Sequence, residues 1–214
     1  MARNSIKCNM ADLDCLVAQS LENIIEENLS NETLRRIKQR LNERHGLNLR
    51  QSIENFSILD SVLREFFGGG AEGLERQFIK SVISLEKSME KEKEWVTVED
   101  KGLSSRILKS LGDNDKSSIL DSVTTHAKTV SEIVDACKIS QNVAYMKISS
   151  LIEDGLLVSD NGSSGTDDIK SKKFKSLFEN MQVTFNKNEI SIKVQISDER
   201  LRNSATIQVI REKR

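Results

Sequence analysis

The sequence predicts a mainly α-helical chain with a small amount of β structure. Three observations carry that expectation. Apolar residues recur at helical spacing through most of the first half. Hydrophobic residues are 37% and charged residues 30% of the chain, which suits amphipathic helices with narrow apolar stripes better than fully buried parallel strands. Strict apolar–polar alternation is confined to short runs in the second half. The chain has no proline, so helices must stop at glycine and at polar caps.

The order of elements is set by stripes and caps. Residues 1–10 are polar and read as a flexible terminus. Leu13, Leu16, Val17, Leu21, Ile24 and Ile25 mark a first helix. Leu34, Ile37 and Leu41 mark a second, opened by Ser30 and closed by Gly46 after His45. Ser57 and Asp60 resemble a capping box for a third helix with Ile58, Leu59, Val62, Leu63 and Phe66, stopped by Gly68, Gly69 and Gly70. A fourth stripe, Leu74, Phe78, Val82, Leu85 and Met89, runs into the charged Glu86–Glu94 stretch, which reads as a solvated helix end. Residues 11–92 are therefore expected to form a helical accessory or output domain of about four helices, with 93–102 as a linker. The glycine run is expected to be a structural turn. No Gly-Lys-Ser/Thr comes after it, and Glu72 and Glu75 would repel a phosphate.

The second half carries the functional signal. Leu103, Ile107, Leu108 and Leu111 supply a lead-in helix, and Asp113 or Asn114 can cap the next, with Ile119, Leu120 and Val123 facing a core. Thr129 and Glu132 form a capping box for a short helix with Ile133, Val134 and Cys137. After the turn at Lys138 and Ile139, Ser140 is an N-cap for a helix over about 141–154. Two short helices joined by such a turn are the pattern of a helix-turn-helix. On the last helix Ala144, Ile148 and Leu151 share one face. Asn142, Met146 and Ser149 project oppositely, flanked by Tyr145, and Lys147 sits at the edge.

That outer face can simply meet water, but the segment after the helix favours a groove-reading role. Gly155 ends the helix, Leu156-Leu157-Val158 reads as a strand, Asn161 to Asp168 as a loop, and Ile169 to Leu177 as a returning strand. Lys170, Lys172, Lys173 and Lys175 concentrate in that return, as a wing beside the phosphate backbone would require. Residues 103–180 are therefore expected to be a winged helix-turn-helix that binds double-stranded DNA. Asn and Ser suit base or phosphate contacts, and the wing lysines suit phosphates. Beyond it, 181–214 alternates through Val183, Phe185, Ile190, Ile192, Val194 and Ile196 across a Lys187-Asn188 turn, predicting a β-hairpin. Ser197 can cap a final short helix with Leu201, Ala205 and Val209. This extension can either thicken the domain's own core or meet a partner chain.

The segments Ile107–Asp121 (ILKSLGDNDKSSILD), Thr129–Ile133 (TVSEI), Ser140–Leu157 (SQNVAYMKISSLIEDGLL) and Lys173–Glu179 (KFKSLFE) resemble the ArsR-like winged-helix regulators of archaea. The resemblance implies a homodimeric transcriptional regulator whose recognition helix contacts DNA through Gln141, Asn142, Tyr145 and Lys147, with 181–214 as a dimerisation element. Relatives often have arginine where this chain has Met146, a departure that implies weaker phosphate contact or an altered target. The segments Ser20–Ile24 (SLENI), Leu41–Gly46 (LNERHG) and Phe66–Gly73 (FFGGGAEG) resemble a helical module of the same archaea, the Nitrosopumilus output domain. That resemblance implies an accessory or sensory role and no function beyond it; control by a protein or small-molecule effector through this part is a separate reading.

Other classes find little support. The formal net charge of −1 excludes a globally basic nucleic-acid coat, so a DNA-binding surface must be local. Aromatics at 4% are too few for single-strand stacking platforms. Cys8, Cys15 and Cys137 form no disulfide framework and no paired metal site with His45 or His126. No signal peptide or long apolar run is visible, so a cytoplasmic location away from membranes is expected. No nucleotide loop, nucleophile elbow or zinc-protease motif appears, so neither catalysis nor a cofactor is expected. The alternative to DNA binding is a protein-interaction module of the transcription or chromosome machinery.

Overall fold

The structure is a computed structural model that describes residues 12–86, 94–159, 172–187 and 189–211. The expected terminus at 1–10, Cys8, Met89, most of the Glu86–Glu94 stretch, the wing loop, Lys170 and Asn188 lie outside the described residues. The chain is mainly helical, with two small antiparallel sheets.

The first helix, α1 (Asp12–Asn28), buries Leu13, Leu16, Val17, Leu21 and Ile25. The second, α2 (Asn31–His45), starts where Ser30 accepts the Thr33 amide and ends at Gly46 with φ 64°. That left-handed backbone is readily adopted by glycine. A short α3 (Leu49–Glu54) comes next, opened by a reciprocal capping box between Asn48 and Gln51. It precedes α4 (Phe56–Phe67), whose N-cap is Asn55, two residues before the predicted cap at Ser57. Ser57 is inside that helix and donates to Asn55 Oδ1, while Asp60 takes Arg64 one turn on at 2.7 Å, so the predicted capping box does not form. The glycine run is a single 3-10 turn, Gly68–Gly70, that leads into α5 (Ala71–Lys80).

The predicted fourth helix is shorter than its stripe. After α5 the chain enters β1 (Ile83–Glu86), which pairs antiparallel with β2 (Trp95–Val98) in the register Ile83↔Val98 to Glu86↔Trp95. Four residues read as linker are thus a strand, with Val96 fully buried. Pairing with a distant strand overrides the helical period of Val82 and Leu85.

The winged helix comprises α6 (Lys101–Gly112), α7 (Asn114–Ser122), β3 (Lys128–Thr129), α8 (Val130–Cys137), α9 (Gln141–Glu153), β4 (Leu157–Ser159) and β5 (Lys173–Ser176). Its three strands lie in the order β3-β5-β4, all antiparallel. Asp100 caps α6 and Asp113 caps α7 through the Leu103 and Lys116 amides.

The hairpin β6 (Asn180–Asn186) and β7 (Glu189–Gln195) then returns to the first half of the chain. β7 pairs with β2, giving a sheet ordered β1-β2-β7-β6. The predicted final helix is two, α10 (Asp198–Asn203) and α11 (Ala205–Arg211), and Ser197 makes no side-chain cap. α11 packs on α5 and α4, and α10 on α1. The seam is polar and buried. Asp14, 2% exposed, accepts from Ser204 Oγ at 2.7 Å, Thr206 Oγ1 at 2.6 Å, and the amides of Ala205 and Thr206 at 3.0 and 3.2 Å. The extension therefore thickens this chain's own core.

A second seam joins α1 to the winged helix. Ser20 Oγ donates to Asp100 Oδ1 at 2.6 Å and accepts from Arg106 at 3.0 Å. Gly155, with φ 71°, turns the chain out of α9 directly against α1, where a Cβ would stand 2.6 Å from the Leu16 Cα. Only glycine fits that approach.

Candidate nucleic-acid interface

The helix-turn-helix is built as the caps require. In the α8 capping box the Glu132 amide donates to Thr129 Oγ1 at 3.3 Å, and the Thr129 amide donates back to Glu132 Oε2 at 2.7 Å. The backbone bond from Thr129 is the chief reason that the Glu132 carboxyl lies below its ordinary range, followed by the Thr129 hydroxyl and the charges of Lys173 and Lys128. Lys138 closes α8 in the left-handed region, with φ 54°, and Ser140 opens α9 by accepting the Val143 amide.

Along α9, Ala144, Ile148 and Leu151 are buried. Gln141 and Asn142 are exposed, Ser149 and Tyr145 are half-buried, and the Met146 side chain stands 61% exposed at the centre of the outer face. Gln141, Asn142 and Met146 are thus open to solvent, and Ser149 only partly so. Lys147 is held differently from the flanking phosphate contact expected of it. It pairs with the Asp113 carboxylate, the same group that caps α7. Chiefly through the Lys147 hydrogen bond, the Asp113 carboxyl is held below its ordinary range. Lys116 is likewise engaged by Asp154, at 3.1 Å. These two lysines tie α7 to α9.

The wing strand sorts its residues by period two. Phe174 and Ser176 face inward, Lys173 is exposed, and Lys175 and Lys172 are half-buried. Lys173 sits opposite Thr129 in register, which brings the wing beside the start of α8. The described strand starts at Lys173, within the predicted 169–177 span.

Three charged residues near this surface are not singled out by sequence pattern. Lys138 is exposed in the turn immediately before the recognition helix, and Lys128 lies on β3 beside the wing strand. Both fall in stretches that read only as connections. Glu153 is exposed at the far end of the outer face, four residues beyond Ser149. Its charge bounds the basic region at that end. Comparison with family models, with curated proteins and with solved structures finds no match to this chain.

Cys15 and Cys137 are half-buried thiols that form no disulfide with each other. Among the described residues no group of three or more His, Cys, Asp or Glu could hold a metal ion, and no helix is long and apolar enough to cross a membrane. An open polar groove of about 420 Å³ lies between α1, α2 and α3, lined in part by Glu22, Lys38, Asn42 and Gln51.

Proposed function

We propose that this chain is a non-catalytic, cytoplasmic transcriptional regulator of the ArsR-like kind that binds double-stranded DNA without a cofactor. α9 enters the major groove, and the wing holds the phosphate backbone. One observation carries the reading: Gln141, Asn142 and Met146 project from a fully capped helix onto open solvent. Exposed Lys138 and Lys173 supply cations from the turn and the wing. Asn142 is the direct base reader, since its amide can bridge the donor and acceptor on an adenine edge. Lys138, Lys172 and Lys173 contact phosphates. Lys147 acts by fixing α9 on the Asp113 cap.

The test is duplex binding followed by fluorescence anisotropy across a salt series. Affinity should fall steeply as salt rises, because each neutralised phosphate releases counterions. Reversing Lys172 and Lys173 to Glu should weaken every duplex together and flatten the salt slope. Asn142→Ala should change the preferred sequence, at about 1–3 kcal/mol for the favoured site. Unchanged binding in both variants rejects the assignment.

A second reading is favoured by Met146 and Glu153, an apolar and an acidic residue on the presented face. In that case α9 docks a protein of the transcription or chromosome machinery. Absence of duplex binding at low salt, with one protein co-purifying through this face, would select it. The groove between α1, α2 and α3 offers either form a place for a small polar effector.

A further inference from the structure

The turn that separates the recognition helix from the wing is backed by the first helix of the chain. Asp154 caps the end of α9, Gly155 turns the backbone at φ 71°, and β4 starts at Leu157. α9 and the wing therefore diverge from these few residues. A Cβ on Gly155 would stand 2.6 Å from Leu16 Cα and 2.7 Å from Leu16 N. The turn thus rests on the backbone of α1, which cannot rotate aside as a side chain would. Three and four residues after Leu16, on the same face of α1, lie Gln19 and Ser20. Both accept from the half-buried guanidinium of Arg106 on α6, Nη1 donating to Gln19 Oε1 and Nη2 to Ser20 Oγ at 3.0 Å. One turn along α6 from Arg106, Ser110 Oγ donates to Asp154 Oδ2 at 3.3 Å, beside Lys116 Nζ at 3.1 Å. α6 is a bridge: Arg106 holds α1, and Ser110 holds the end of α9.

We propose that α1 is a positioning element for the recognition helix: gripped by Arg106 and pressed on Gly155, it fixes the angle at which α9 leaves the wing. The inference rests on the DNA-binding reading for its consequence. That angle decides whether the outer face of α9 and the wing lysines reach one duplex together. Arg106 acts through this seam and not by touching DNA, so it is a positioning residue. Its planar fork holds an amide oxygen and a hydroxyl at once, which the single ammonium of a lysine does not reproduce.

The test uses the full chain carrying Gln19→Ala together with Ser20→Ala, and a second variant, Arg106→Lys. The double variant removes both α1 acceptors of the fork and leaves every residue of the helix-turn-helix and wing unchanged. Each protein is measured well below its own melting temperature, by amide hydrogen exchange and by duplex anisotropy across a salt series. Exchange should quicken at residues 154–158 and along α9, beyond the helix that was altered. The duplex dissociation constant should rise roughly fivefold or more. The salt dependence should flatten, because α9 and the wing no longer engage phosphates together. Arg106→Lys should fall between wild type and the double variant, and it gives the same test if the double variant does not fold. Faster exchange confined to α1 and α6 overturns the proposal, as does an affinity and salt slope equal to those of wild type. A seam that only adds stability would give that result, with a lower melting temperature alone. The two readings separate on the same samples. Wild type that ignores duplex DNA, while exchange in α9 responds to the seam, rejects only the DNA reading. Wild type that binds DNA no better than its variants rejects only the positioning role of α1.

Discussion

At the scale of single residues, Glu75 is the least comfortable group in the described chain. It is 2% exposed, and its Oε1 has no hydrogen-bond partner. Burial, then the neighbouring Asp60 carboxylate, pushes its carboxyl up to about 8. Linkage fixes the sign. The folded state holds a proton that the unfolded chain releases near the ordinary value of 4.5, so this group contributes most below that pH. Its contribution is lost as pH rises to about 8, by at most roughly 1.4 kcal/mol per pH unit. Urea midpoints measured from pH 5 to pH 8 should therefore fall in wild type. They should fall less in Glu75→Gln, whose amide can still donate to Asp60. An equal fall in both proteins would remove Glu75 as the cause. In the sequence this carboxylate reads only as a group that repels phosphate, because its burial depends on how α4 meets α5.

Among the elements, those whose start and stop are written locally are the ones legible in the sequence. Ser30 and Gly46 for α2, Asp113 for α7, Thr129 with Glu132 for α8 and Ser140 for α9 all act where their residue types predict. The burial of Ala144, Ile148 and Leu151 on α9 also comes directly from spacing. Strands β1 and β2 are not legible. They are four residues each, and Val96 finds its partners at Leu85 and Val194, which no local window contains. The Lys147–Asp113 pair is hidden for the same reason, being a contact between two helices. At this scale Thr129→Ala is decisive. It removes the acceptor of the Glu132 amide at the start of the helix-turn-helix. A loss of about 1 kcal/mol should appear in the denaturant midpoint with an unchanged slope. A variant as stable as wild type would mean that the box contributes nothing beyond what water supplies.

Across the whole molecule, the two ends of the chain are fastened together, so the division that the sequence suggests at 93–102 does not describe how the parts hold. β7 completes a sheet with β2, and Asp14 accepts four hydrogen bonds from 204–206 while buried. Burial raises the Asp14 carboxyl despite those bonds, so the clasp gives up solvation to hold α11 in place. Two independent units would melt in two steps. A chain whose first helix packs on both the winged helix and the C-terminal helices should melt in one. Calorimetry of wild type should therefore give a single transition. Asp14→Ala leaves two hydroxyls and two amides without their acceptor, at an expected cost of about 2–4 kcal/mol. That cost should lower the whole transition rather than split it, because α11 rests on α4 and α5 and the loss reaches the main core. Two resolved transitions in wild type, or a variant in which only a small early step moves, would show that the ends fold apart and that the clasp is local.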